Sequence, residues 1–118
     1  MKVLLFCCKG FETMEFAPFV DVMGWARNDY GMGIEVITAG FSKTVISAFG
    51  IPILVDKIYE EINISEYDAL AIPGGFEEFG FYEEAYSESF LNLIREFNSA
   101  HKYIASICVG ALPIGASG

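Results

Sequence analysis

Tyr103-Ile104-Ala105-Ser106-Ile107-Cys108-Val109-Gly110 is the stretch on which the fold turns. Tyr103 to Ile107 is an apolar, β-branched run of strand character, closed by a cysteine and a glycine. Val109 to Ala116 then reads as a short helix, with Pro113 expected to bend it. A strand that feeds directly into a helix is half of a βα unit, and the rest of the chain repeats that alternation. Val3 to Cys8 is continuously apolar, as a strand buried on both faces must be. Pro18 suits the first turn of a helix, where its missing N–H costs nothing. Beyond it, Phe19, Val22, Met23 and Ala26 recur at helical spacing and define a core face. Ile34 to Thr38 is the second strand. Thr44 to Ser47 and Ile53 to Val55, divided by Gly50 and Pro52, form a small hairpin or excursion. Ala69 to Ile72 is a further buried strand, stopped by Pro73-Gly74-Gly75. Phe90, Ile94 and Phe97 mark the inner face of a helix over Ser87 to Ala100.

The order β-α-β-(β-β)-β-α-β-α predicts an open, doubly wound α/β domain, a mainly parallel sheet with helices on both faces. At 118 residues there is room for one domain, residues 1–118, and one core. No apolar run approaches the ~20 residues needed to cross a bilayer. The apolar start, Val3 to Cys8, lacks the cleavage site of a secretory leader, and a cytoplasmic protein is expected. Net charge is −9, which argues against a nucleic-acid partner, where a basic footprint is required. The carboxylate pairs Glu60-Glu61, Glu77-Glu78 and Glu83-Glu84 read as a solvated acidic surface. Three cysteines without an export signal do not make a disulfide framework. With no Cys-x-x-Cys pair and His101 the single histidine, no metal site and no cofactor is expected. The composition is 53% hydrophobic, so apolar surface is left over for a partner or a further segment to cover.

Open α/β sheets bind ligands at the carboxyl ends of their strands. Three segments end there: Lys9-Gly10-Phe11-Glu12-Thr13-Met14-Glu15, Pro73-Gly74-Gly75-Phe76 and Ser106-Ile107-Cys108-Val109-Gly110. A cysteine between strand and helix gains thiolate character from the helix dipole and free N–H groups. Gly110 permits the sharp turn of a nucleophile elbow. The N–H groups of Gly74, Gly75 and Val109 can face a developing oxyanion. Glu15, just before a helix start, can hydrogen-bond the sulfur when protonated or act as a general base when ionised. Each feature alone has a plainer reading: a packed thiol, a turn, a helix-terminal carboxylate. Their convergence at one sheet edge is what favours a site. Cys7 and Cys8 lie inside the first strand and read as core, with Cys8 close enough to its end to border the site. His101 precedes the last strand by about seven residues from Cys108, which places it roughly 20 Å away at the opposite edge, on the surface.

In order and spacing these three segments resemble the ThiJ/PfpI superfamily. That group includes the Parkinson-associated protein deglycase and belongs with the class I glutamine amidotransferase-like, flavodoxin-like folds. The resemblance implies that Cys108 is a nucleophile or redox-sensitive thiol and that Glu15 contacts it. It assigns the oxyanion N–H groups to Gly75 and Val109. It also implies a homodimer, with the Glu15 segment and first helix near the interface. The protease-like branch carries histidine directly after the cysteine, where this chain has Val109. Other branches place a histidine beyond the elbow helix, past Gly118. Relatives are usually half as long again, so the chain is expected to be the N-terminal part of a longer domain. The implied activity is cysteine-dependent chemistry on a small reactive carbonyl, as in glyoxalases and deglycases. The alternatives are a non-enzymatic redox sensor or chaperone working through oxidation of Cys108, and an amide, peptide or isonitrile hydrolase.

Overall fold

The computed structural model describes residues 1–118. Seven strands and four helices follow one another: β1 (Lys2–Phe6), α1 (Thr13–Tyr30), β2 (Glu35–Gly40), β3 (Thr44–Ile46), β4 (Pro52–Leu54), β5 (Lys57–Ile58), β6 (Ala69–Ile72), α2 (Phe81–Ala85), α3 (Glu88–Ser99), β7 (Tyr103–Ser106) and α4 (Ala111–Ser117). Five strands form one sheet in the order β5-β2-β1-β6-β7, and β3 and β4 form a separate antiparallel hairpin. Every pairing in the large sheet is parallel. The expected open α/β architecture is therefore present, with the small hairpin where the sequence placed it.

Alternation along β1 divides the core in two, because successive side chains of a strand point to opposite faces. Leu4 and Phe6 join Leu70 and Ile72 against Phe81, Phe90, Leu93, Ile94 and Phe97, the inner faces of α2 and α3. Val3 and Leu5 join Ala69 and Ala71 on the other face, where Phe16, Phe19 and Met23 of α1 lie against them. Helices thus cover both faces. Phe6 and Phe90 meet with ring centroids 4.8 Å apart, a tilted contact favourable beyond its buried area.

The two ends of this framework differ from the sequence expectation in how they use proline. α1 begins at Thr13, where the Glu12 side chain accepts from the Met14 N–H, so Pro18 stands inside the helix rather than in its first turn. Its missing N–H leaves the Met14 carbonyl without its usual intrahelical donor. Pro113, expected to bend the last helix, instead sits in the first turn of α4, where no donor is needed. A short 3-10 turn over Cys108–Gly110 separates β7 from α4. The core face of α1 is also shallower than expected. No residue of that helix is fully buried, and Val22, assigned to the core from its spacing, is 68% exposed.

Strand order locates the crevice. β1 is followed by α1 on one face and β6 by α2 and α3 on the other, so the loops leaving these adjacent strands diverge. That is the topological switch point at which open α/β sheets hold ligands, and β7 lies beside β6.

Candidate active site

The loop after β1 is stitched to the loop after β6. Phe11 and Gly75 form an isolated antiparallel bridge, and the Glu12 N–H donates to the Gly74 carbonyl at 2.8 Å. The stitch places Glu15, in the first turn of α1 rather than before it, beside the Pro-Gly-Gly loop. There its Oε1 accepts the Gly74 N–H at 2.9 Å.

The elbow arrives from the other side. Ile107 donates to the Ile72 carbonyl at 3.2 Å, and Gly110 closes the turn by donating to Ile107 at 3.0 Å. Between them Cys108 takes φ 54°, left-handed backbone that a residue with a Cβ adopts rarely. Such a conformation stores on the order of 1–3 kcal/mol and persists only where its surroundings impose it. The strained turn lifts the side chain out of the sheet edge, and Cys108 is exposed. Gly110 has ordinary helical torsions; its reason is space. A Cβ there would stand 2.5 Å from the Ile72 carbonyl oxygen and 3.3 Å from the Gly74 nitrogen. A Cβ on Gly74 would meet Glu15 Oε1 at 2.6 Å, Val109 Cγ2 at 3.0 Å and the Gly110 nitrogen at 3.1 Å. One glycine thus touches all three segments that the sequence placed at this edge.

Of the three backbone donors expected for an oxyanion, Gly74 is already committed to Glu15. Among the backbone hydrogen bonds outside helices and strands, none uses the Gly75 N–H. Gly75 is buried, and an unpaired buried N–H is rare enough to require an explanation. A buried donor left over beside the Pro-Gly-Gly turn is of the kind that can receive an oxygen that gains charge. The Glu15 side chain bonds to Gly74 and not directly to the sulfur. α4 is only seven residues long, so its dipole adds little and the turn geometry matters more.

The remaining expected residues fall elsewhere. Cys7 and Cys8 are buried. Burial raises the Cys7 thiol well above its ordinary range. Burial raises Cys8 as well, with Glu84 and Cys7 adding to it, so Cys8 is packed in the core and does not open onto the elbow. His101 is exposed in the turn that enters β7, at the far edge of the sheet. No three His, Cys, Asp or Glu side chains gather as a ligand set, and no helix is long and apolar enough to cross a membrane. The sequence reading missed Tyr82 of α2, a half-buried phenol. Loss of solvent raises its pKa, followed by the charges of Tyr86, Glu77 and Cys108. The available signal was weak: Phe81 with Ala85 and Tyr82 with Tyr86, each pair one helical turn apart after Gly80, are too few to mark a helix.

The family model described as "DJ-1/PfpI family" matches residues 1–118. A deglycase of Pyrococcus abyssi is 35% identical over 114 residues, spanning 93% of this chain and 61% of its own length. The crystal structure of Drosophila melanogaster DJ-1beta superposes with a TM-score of 0.82 at 27% identity, over 99% of this chain and 60% of that one. Oxidized Toxoplasma gondii DJ-1 gives a TM-score of 0.82 at 25% identity, over 99% of this chain and 61% of that one. The chain therefore spans about three fifths of the length of these relatives.

Proposed function

The chain belongs to the DJ-1/PfpI family, and from that premise we propose that it contributes the nucleophile and oxyanion pocket of a cysteine-dependent enzyme acting on small reactive carbonyl compounds. The observation that carries this reading is the exposed Cys108 on left-handed backbone, at an elbow that packs on Gly74 with Glu15 bonded to the same glycine. The thiolate attacks the carbonyl carbon, a C–S bond forms, and the carbonyl electron pair moves onto oxygen, which the Gly75 and Val109 N–H groups receive. A proton from Glu15 then completes a hemithioacetal. The deglycase name of the Pyrococcus abyssi relative supports this choice of chemistry.

The reading includes a cytoplasmic homodimer acting on a small molecule. Its support is three unpaired cysteines and a run of exposed apolar residues on α1, among them Met14, Val22 and Trp25. Replacing Cys108 with serine is expected to lower aldehyde turnover at least about a thousandfold. Turnover retained by Cys108→Ser would refute the reading.

A second reading, a redox sensor, is favoured by the exposure of the same thiol and by the likeness to an oxidized relative. Mass spectrometry after mild peroxide separates the two. Selective gain of two oxygens at Cys108, with no turnover of any aldehyde, would favour the sensor.

A further inference from the structure

A second concavity lies apart from the elbow, between the β3–β4 hairpin, the loop after β1 and α2. Its volume is about 340 Å³, inside the range of about 300–1,000 Å³ that small-molecule sites occupy. Cys108, Glu15, Gly74 and Gly75 take no part in lining it. Backbone bonds between the elements fix its walls. Gly10 donates to the Ile46 carbonyl at 2.7 Å and Ala48 to the Phe11 carbonyl at 2.8 Å, so the hairpin is tied to the loop after β1. On the other side the Lys9 stem runs against Gly80, where a Cβ would meet its Cε at 2.9 Å.

The wall suits hydroxyl groups. Glu84 is held by the Lys9 N–H, which donates to its Oε1 at 2.7 Å. A carboxylate accepts up to about four hydrogen bonds, so acceptor capacity is left over. Among the serines, threonines, amides and charged residues only Ser47 is buried, at 3% exposure, and it lines the cavity. Its hydroxyl donates to the Ala48 carbonyl at 3.0 Å, which leaves its oxygen free to accept. Ser42 and Thr44 add two hydroxyls from exposed positions, each able to donate and accept. Phe79 adds apolar wall, its ring centroid 5.1 Å from that of Phe49 at the hairpin tip.

Charge decides the ligand class. Lys9 is the one cation on the wall, and it pairs with Glu83. With Glu84 beside it, two carboxylates stand against one ammonium in a chain of net charge −9, which disfavours an anion. A cation meets the Lys9 ammonium. A purely apolar ligand would displace water from Ser47 and Glu84 and give them no partner. A neutral compound with several hydroxyls donates to Glu84 and Ser47 and accepts from Lys9 and Thr44. We infer that this cavity is a binding site for a small neutral polyol, separate from the thiol site and independent of the chemistry proposed there.

Sorbitol is the probe, because it carries a hydroxyl on every carbon and no carbonyl for Cys108 to capture. Titrated into the isotope-labelled chain and followed by NMR, it should give saturable amide shifts at Lys9, Ser42 to Gly50 and Phe79. Half-saturation is expected on the order of 1–10 mM. Thr44→Val keeps the shape of an exposed side chain and loses its hydroxyl, and should raise half-saturation about fivefold. Glu84→Gln keeps an oxygen for the Lys9 N–H and loses the charge, and should raise it about tenfold. Amides of β1 and β6 report that each variant is folded. Shifts that grow linearly without saturating, as an excluded osmolyte gives, would overturn the site. Half-saturation unchanged in both variants would overturn it too. Saturation of the same amides by inorganic phosphate and not by sorbitol would overturn the ligand class. None of these outcomes bears on the carbonyl reading at Cys108.

Discussion

Cys7 and Cys8 follow β1, and Cys108 follows β7, so all three thiols stand toward the same edge of one parallel sheet. The first two are sealed in the core at 0% and 1% exposure, while the third is open to solvent. Strand position alone does not explain the difference. After Phe6 the chain keeps its extended course, and Cys7 still donates its N–H to Ala39 at 2.8 Å, so its side chain continues the inward alternation. At Cys108 the backbone reverses to φ 54° within one residue. The tight turn is possible because Gly110 lets the elbow press on the end of β6. Reactivity at this edge is therefore a property of the turn, and the cysteine inherits it.

The largest expected effect tests that contrast directly. In the folded protein at neutral pH, iodoacetamide should modify Cys108 at least about a thousandfold faster than Cys7 or Cys8, because the buried thiols react only through opening of the core. In concentrated guanidinium chloride the three should converge. Peptide mapping by mass spectrometry reads all three sites at once. Comparable labelling of Cys8 and Cys108 under native conditions would break the comparison.

A smaller effect separates space from flexibility. Gly110→Ala forces a methyl to within 2.5 Å of the Ile72 carbonyl oxygen and should destabilise the fold by about 1–3 kcal/mol. Gly24, in the middle of α1, has nothing within 4 Å of a built Cβ. Gly24→Ala should therefore stabilise, by about 0.5–1 kcal/mol. Urea midpoints for the two variants are expected to move in opposite directions. A shift of the same sign in both would mean that the close approach at the elbow is not what requires glycine.

The elements legible in the sequence are those with a strong period or complete burial. β1, β6 and the helix carrying Phe90, Ile94 and Phe97 declare themselves because both faces of a strand, or one stripe of a helix, must be apolar. The three loops of the site were legible because parallel topology forces strand ends to one edge. The two proline assignments went the other way for a local reason. A helix start is set by its cap, and Glu12 caps α1 six residues ahead of Pro18, the residue expected in the first turn. α2, at five residues, and β5, at two, are too short to carry a period. The commitment of the Gly74 N–H to Glu15 depends on a contact 59 residues apart in sequence, which no local pattern encodes.

The smallest expected effect concerns the buried pair again, through pH. Burial lifts Cys7 from an ordinary thiol value of 9.0, and it lifts Cys8 likewise. The folded thiols keep their protons to higher pH than the unfolded ones do. Above about 9 the unfolded chain therefore releases protons first and is favoured. The stabilising contribution is whole below the unfolded value, falls away as pH rises above it, and is gone once pH passes the folded value. The slope is about 1.4 kcal/mol per pH unit for each such thiol. Other groups titrate in the same range, so the informative quantity is the difference between wild type and Cys7→Ala. Denaturation midpoints measured from pH 8 to 10 should fall less steeply in Cys7→Ala than in the wild type. Equal slopes for wild type and Cys7→Ala would mean that the core opens to base at this strand end, and that the division between sealed and open thiols is one of degree.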